Sequence, residues 1–151
     1  KNLTPAQAAE FLKKWVVELD EKEQGLRAIL NFGHTIGHAI ESATNYKTYL
    51  HGEAVSIGMV CAAKIALELE LLDKMWVRRI EKILIRAGLP IKHSIDVNKI
   101  IEQIAFDKKV QDGKIRFVLP NGRPGRTVIK DDVPEEIIKK VLEEQREGSQ
   151  N

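Results

Sequence analysis

The sequence has little of several features that mark special classes of protein. Cys61 is its one cysteine, so no disulfide can form within the chain, and its apolar neighbours predict a buried, reduced thiol. With 24 basic and 22 acidic side chains the net charge is +2, and there is no dense basic block that would favour nucleic acid. The most apolar stretch, Ala54–Ala63, is about half the roughly 20 residues that cross a bilayer, so we expect no membrane span.

No leader of basic, apolar and small residues opens the chain, so secretion has no support and we expect a soluble, cytoplasmic protein. The chain begins at Lys1 and not at a methionine, so we expect a piece of a longer protein. Its 151 residues suit one domain, and 43% hydrophobic with 30% charged residues is an ordinary globular composition.

Hydrophobic periodicity predicts a mainly α-helical domain of about six helices with one small β-hairpin. We expect this domain to occupy residues 1–145, followed by a frayed polar tail over residues 146–151. The predicted helices run over or around Thr4–Leu19, Arg27–Ala43, Gly52–Leu72, Asp73–Ala87, Val97–Ile104 and Pro134–Gln145. The hairpin is predicted from an alternating stretch, a turn cluster and a second short strand, at Ile115–Leu119, Pro120–Gly125 and Thr127–Ile129.

Two of these helices have unusual compositions. The segment Gly52–Leu72 is apolar almost all round over much of its length, which predicts the central, buried helix. Gly33 and Gly37 lie inside the predicted helix Arg27–Ala43, where each costs about 1 kcal/mol relative to alanine. Glycines four residues apart in a helix indicate that another group approaches that face closely.

Three of the four histidines lie close together in the sequence. His34 and His38 are four residues apart on a predicted helix, so both rings leave the same face. This spacing suits two ligands of one metal ion, or one ligand and an acid or base. His51 stands immediately before the predicted central helix. Alternatively, each is a structural histidine with no chemical role.

The same helical stripe extends towards the N-terminus. At 3.6-residue spacing Arg27 and Asn31 fall in line with His34 and His38. Arginine donates two parallel hydrogen bonds to a carboxylate or phosphate, so the stripe favours a polar, anionic ligand. The alternative is a solvated arginine.

A zinc protease is a further alternative for a helix with two histidines. Such helices have the sequence H-E-x-x-H, in which the glutamate is the catalytic base. Thr35 follows His34 here, and Glu41 lies outside the motif, so a protease has weak support.

The two histidine segments carry a resemblance. GHTIGHAIE at Gly33–Glu41 and HGEAVSIGM at His51–Met59 resemble the C-terminal domain of the 3-dehydroquinate synthase family. The likeness continues at Asp20–Asn31, Asp107–Lys109 and Ile115–Pro120, so it spans most of the chain.

The resemblance implies an enzyme of the shikimate pathway, which leads to aromatic amino acids, that uses NAD and a divalent metal, usually zinc. Its substrate is 3-deoxy-arabino-heptulosonate 7-phosphate, which is oxidised, loses phosphate, is reduced again and closes into a carbocycle. Sister sugar-phosphate cyclases share much of the pattern, and a metal-dependent polyol dehydrogenase is more distant. A helical binding domain that has kept the histidines without catalysis stays open as a third interpretation.

The resemblance also assigns residues. It makes His34 and His51 two of three metal ligands, and the third is a carboxylate in a region that precedes this domain. We find no counterpart of that carboxylate, since neither Glu18 nor Glu41 stands in its place. The residues matched to the substrate side are Lys13, Arg27, Asn31, His38 and one of the pair Lys108 and Lys109, with Lys13 and His38 as catalytic candidates. An exposed charge pair at a helix end is the alternative for the two lysines.

The family places a dinucleotide-binding half before this helical half. No glycine-rich loop after a strand and no βαβ alternation occurs in the sequence, so we expect that NAD-binding domain to be missing here. The missing domain and a sugar phosphate are therefore the expected partners, a homodimer is left open, and the isolated chain is predicted to be inactive.

Overall fold

The computed structural model describes residues 4–7, 10 and 32–149. The predicted first helix falls within this part only at its start. There, the Gln7 N–H donates to Thr4 Oγ1 at 3.1 Å, and the Thr4 N–H donates to Gln7 Oε1 at 2.9 Å. This reciprocal pair is a capping box, and Pro5 is in the first helical position.

The described part is mainly helical and contains one antiparallel hairpin, which confirms the predicted fold class. Its elements are α1 (His34–Ala43), α2 (His51–Glu68), α3 (Lys74–Arg86), α4 (Val97–Val110), β1 (Phe117–Asn121), β2 (Arg123–Lys130) and α5 (Glu135–Glu144). A left-handed Gly122, at φ 81°, separates the two strands. None of these helices has the length and hydropathy of a membrane span.

Helix α2 is the centre of the core, as its composition predicts. Every residue from Ala54 to Ala63 is buried, and α1, α3, α5 and β1 all contact this helix. Burial of a helix on all sides requires an apolar surface on all sides, which explains why an amphipathic stripe is absent from this segment. The predicted end at Leu72 is wrong, because α2 ends at Glu68 and a left-handed Glu70 turns the chain away.

Helices α1 and α2 approach so closely that glycine is required on both sides. A Cβ on Gly58 would overlap the carbonyl oxygen of Gly33 and lie 2.9 Å from the nitrogen of Gly37. A Cβ on Gly37 would lie 3.1 Å from the carbonyl oxygen of Ala54. The close approach predicted from the glycine spacing is therefore confirmed.

The predicted continuous helix over Arg27–Ala43 is wrong. Helix α1 begins at His34, and Gly33 before it has φ 83°, a left-handed conformation that an α-helix does not contain. The stripe that joined Arg27 and Asn31 to the histidines assumed an unbroken helix. That spacing argument fails, and both residues lie outside the described part, as does Lys13.

The chain after α5 is tied to the loop that precedes α4. The His93 N–H donates to the Gln145 carbonyl oxygen at 2.9 Å, and the Glu147 N–H donates to the His93 carbonyl oxygen at 2.8 Å. The tail that was expected to be frayed over residues 146–151 is therefore hydrogen-bonded to this loop through the backbone of Glu147.

The ring of His93 is buried in the same place. Its Nε2–H donates to the Leu142 carbonyl oxygen at 2.8 Å, and its Nδ1 accepts the Ile95 N–H at 3.1 Å. Both ring nitrogens are thus used, and burial lowers the pKa of this imidazole. His93 is a structural histidine.

Candidate functional site

The first residues of α1 and α2 bring two of the predicted site histidines together. The ring centroids of His34 and His51 are 5.5 Å apart, and the rings are tilted by 51°. His34 is partly buried, whereas the side chain of His51 is 65% exposed. The glycine crossing sets this distance, since it brings the start of α1 against α2. Two residues distant in sequence therefore form one imidazole pair.

Glu41 holds the His51 ring from the far end of α1. The His51 Nδ1 and Glu41 Oε1 are 2.7 Å apart, and the Glu41 side chain is only 12% exposed. Glu41 lies two turns after His34, on the same face of the helix. Sequence reasoning gave Glu41 no role, because its spacing from His34 places it on the histidine face of α1 but does not indicate the contact with His51 on α2.

The start of α2, which carries His51, is fixed by a second acidic residue. The Glu53 carboxylate accepts the N–H of Leu50 at 2.9 Å, and so satisfies a backbone donor that the helix leaves unpaired. The backbone that carries His51 is thereby held independently of Glu41.

A cleft of about 650 Å³ opens beside His34 and His38. His34, Thr35 and His38 line this cleft. The other lining residues are largely apolar, namely Phe106, Val110, Ile115, Val118 and Ile129. Asp107, Gln111 and Arg116 are the polar residues among them. The Thr35 hydroxyl donates to the Arg116 carbonyl oxygen at 2.7 Å, which ties α1 to the chain before the hairpin.

His38 faces a carboxylate across this cleft. Its Nε2 lies 3.9 Å from Asp107 Oδ1, and its side chain is 55% exposed. The Asp107 carboxylate is in turn held by the Gln103 amide, which donates at 3.0 Å. His38 is therefore an accessible imidazole beside an oriented carboxylate, which suits proton transfer or a hydrogen bond to an anion.

The two candidate lysines do not line this cleft. Lys108 and Lys109 are exposed in the last turn of α4 and border a separate depression of about 410 Å³. Ile115 borders both, so the two hollows adjoin. The structure does not bring the lysines together with His38 in one cavity, and their substrate role stays a prediction.

The imidazole pair fits part of a metal centre. An ion with Zn–N bonds of about 2.0–2.1 Å has room between rings whose centroids are 5.5 Å apart. In the region spanning 32–149 and the short described stretch before it, no group of three or more His, Cys, Asp or Glu could hold a metal. Cys61 is not such a ligand, because burial raises the pKa of its thiol to about 12. The pair is thus an incomplete ligand set.

Comparison with known families gives one match. The model of the family described as "3-dehydroquinate synthase C-terminal" matches residues 6–110, which include all three site histidines. The 3-dehydroquinate synthase of Sulfurovum sp. (strain NBC37-1) is 48% identical over 132 residues, which are 87% of this chain and 37% of that protein. The chain thus spans little more than a third of the length of this curated relative.

Two solved structures have the same fold as this chain. A 2-deoxy-scyllo-inosose synthase with carbaglucose-6-phosphate, NAD⁺ and Co²⁺ has a TM-score of 0.64 at 32% identity, over 83% of this chain and 36% of that one. The 2-epi-5-epi-valiolone synthase of Streptomyces hygroscopicus subsp. jinggangensis 5008, with NAD⁺ and Zn²⁺, has a TM-score of 0.68. At 23% identity, over 93% of this chain and 46% of that one, the second likeness concerns the fold alone.

Proposed function

This chain belongs to the 3-dehydroquinate synthase C-terminal family, and we propose that it is the metal- and substrate-binding half of a 3-dehydroquinate synthase. The full-length enzyme would convert 3-deoxy-arabino-heptulosonate 7-phosphate to 3-dehydroquinate and release phosphate, as a carbon–oxygen lyase of the shikimate pathway. The observation that carries the proposal is the His34–His51 pair, which lies at a helix crossing within the residues that the family model matches.

In this proposal His34 and His51 hold a divalent ion, zinc or cobalt. Their imidazoles suit such ions, and an open site with few protein ligands is typical of catalytic rather than structural metals. When bound, the ion acts as a Lewis acid on the oxygen of the carbon that is oxidised and reduced. The third protein ligand would come from the domain that precedes this chain in the full-length enzyme.

The other residues of the chain would hold and protonate the substrate. His38 is exposed in the cleft, where its imidazole could transfer a proton or donate a hydrogen bond to the phosphate. The substrate carries a carboxylate and a phosphate, both of which cationic side chains bind. Lys13, Arg27, Asn31, Lys108 and Lys109 are the residues proposed for this binding.

The full-length protein would act in the cytoplasm.

NAD would be bound mainly by the preceding domain. We therefore expect the 151-residue chain alone to release no phosphate from the substrate. Hydride transfer needs a nicotinamide held against the reacting carbon, and a misplacement of about 1 Å can cost on the order of a hundredfold in rate. Phosphate release by this chain with NAD and zinc, abolished by His34→Ala, would contradict the proposed division of roles.

The proposal is tested in the full-length enzyme with NAD, zinc and the heptulosonate phosphate. We expect phosphate release and 3-dehydroquinate formation, and we expect His34→Ala and His51→Ala to abolish both. Lys139→Ala, an exposed change on α5, is the control and should leave turnover unchanged. Activity that persists in both histidine variants would refute the proposed metal site.

A sister cyclase is the second candidate, because the 2-deoxy-scyllo-inosose synthase described above, which is 32% identical to this chain, was solved with carbaglucose-6-phosphate. Identity to a 3-dehydroquinate synthase is 48%, against 32% and 23% for the two solved structures, which favours the heptulosonate phosphate. Turnover of another sugar phosphate in preference to it would assign the sister activity. No turnover of any of them would favour a non-catalytic binding domain.

A further inference from the structure

We propose that Glu41 is a positioning residue that holds His51 in one tautomer and orientation, in which Nε2 would be the nitrogen that binds the metal of the proposed function. The inference rests on the proposed function only for the metal. The hydrogen bond and the tautomer concern this chain alone.

The geometry joins three side chains from two helices. Glu41 and His34 belong to α1, and His51 is the first residue of α2. The Glu41 Oε1 lies 2.7 Å from His51 Nδ1. The His51 ring also neighbours the His34 ring, and their centroids are 5.5 Å apart. The His51 ring, otherwise 65% exposed, is thus contacted on two sides. An exposed histidine without such contacts would rotate among several rotamers.

The chemistry of the pair decides which nitrogen carries the proton. An ionised carboxylate only accepts hydrogen bonds, so Nδ1 of His51 must be the donor. The neutral ring then has its lone pair on Nε2, and only a lone pair can bind a metal ion. A carboxylate on the far nitrogen also makes the imidazole a stronger base and hence a better ligand.

Glu41 differs from a metal ligand because its carboxylate oxygen is hydrogen-bonded to a histidine nitrogen. The Oε1 atom of Glu41 is bonded to Nδ1 of His51 and not to Nε2, and the Glu41 side chain is largely buried. No cluster of three metal-binding side chains, Glu41 included, exists between residues 32 and 149. Glu41 therefore acts through His51 and does not replace the missing third ligand.

A merely structural link between α1 and α2 is the competing explanation. The two helices already contact each other along the glycine crossing, where backbone meets backbone. If Glu41 had only a structural role, Glu41→Ala would change the free energy of unfolding but leave the His51 tautomer unchanged. Glu41→Gln would then bind zinc no more tightly than Glu41→Ala.

The test compares Glu41→Ala, Glu41→Gln and the control Glu53→Gln. The glutamine at 41 can still accept the Nδ1–H through its amide oxygen, whereas alanine cannot. Glu53→Gln removes one negative charge two residues from His51 but leaves an acceptor for the Leu50 N–H. It therefore measures the loss of charge alone. Circular dichroism and the thermal midpoint of each variant show whether it is folded.

The first readout is the ¹⁵N spectrum of the imidazoles in the metal-free 151-residue chain. We expect His51 in the Nδ1–H tautomer in the wild type and in Glu53→Gln, and a mixture of tautomers in Glu41→Ala. The second readout is the dissociation constant of zinc for the full-length enzyme. Loss of an outer hydrogen-bond partner typically weakens metal binding about 10–100-fold, which we expect for Glu41→Ala, with a smaller loss for Glu41→Gln.

Two outcomes would overturn the inference. One is a wild-type His51 in the Nε2–H tautomer, and the other is a folded Glu41→Ala variant that binds zinc as tightly as the wild type. A wild-type enzyme that binds no zinc but keeps the Nδ1–H tautomer would instead refute the metal site of the proposed function, and leave the positioning of His51 by Glu41 supported.

Discussion

The crossing of α1 and α2 leads to a strong prediction about Gly58. In Gly58→Ala the new methyl group overlaps the carbonyl oxygen of Gly33 and lies 2.9 Å from the nitrogen of Gly37. Both are backbone atoms, so the obstruction cannot be relieved by the movement of a flexible side chain. The helices must therefore separate for alanine to fit.

The magnitude follows from two opposing effects. Overpacking of a core costs about 1–3 kcal/mol, and we take about 3 because the obstruction is backbone. Alanine in the interior of a helix regains about 1 kcal/mol over glycine. The net loss in the free energy of unfolding is then about 2 kcal/mol, or a fall of roughly 4–8 °C in Tm for a chain of this size.

Urea unfolding followed by circular dichroism measures this loss in the 151-residue chain. Gly52→Ala is the matched control, because Gly52 belongs to the same helix and a Cβ there has no atom within 4 Å. We expect the control to be as stable as the wild type or more stable. Equal stability of Gly58→Ala and Gly52→Ala would refute the reasoning.

Three further predictions concern single side chains. Because burial lowers the pKa of His93, the unfolded chain binds more protons than the folded chain below about pH 6.5. The free energy of unfolding should therefore fall as pH decreases through that range. Urea titrations at several pH values should show a smaller fall in His93→Gln. With its thiol pKa raised to about 12, Cys61 should resist a disulfide reagent at pH 8 in the native chain and react rapidly in urea; fast native reaction would contradict its burial. In the full-length enzyme, Lys108→Ala or Lys109→Ala should raise the KM for the sugar phosphate while Lys99→Ala, on the same helix, does not; unchanged kinetics in both variants would leave the lysines without a substrate role.

Local patterns predicted most of the fold. The apolar run Ala54–Ala63 indicated a helix buried on all sides, and the glycine spacing indicated a close crossing, because both are properties of one segment. The left-handed Gly33 was not predictable from periodicity, since a single glycine within a helical pattern is compatible with either a helix or a break. The contact that the break allows, between Gly33 and Gly58, joins segments far apart in the chain.

The site was predictable in its residue types and less so in its arrangement. The resemblance named His34 and His51, and the structure places their rings side by side. Glu41 was missed because its partner is on another helix, and helical spacing describes neighbours on one helix only. The same limit applies to His38, whose carboxylate neighbour, Asp107, comes from α4.

Under the proposed function, the arrangement also indicates how a preceding domain would complete the site. His51 and His38 are 65% and 55% exposed. The cleft that His34 and His38 line also contains the side chains of Phe106 and Val110, which are 60% and 67% exposed. A catalytic metal ordinarily has three protein ligands and a site from which bulk water is excluded, whereas residues 32–149 contain no group of three metal-binding side chains around the histidine pair. A domain that supplied the third ligand from above the histidine pair would also bury these apolar side chains. Under the proposed function, one docking event would then complete the ligand set and exclude water, and for this reason we expect this half alone to be inactive.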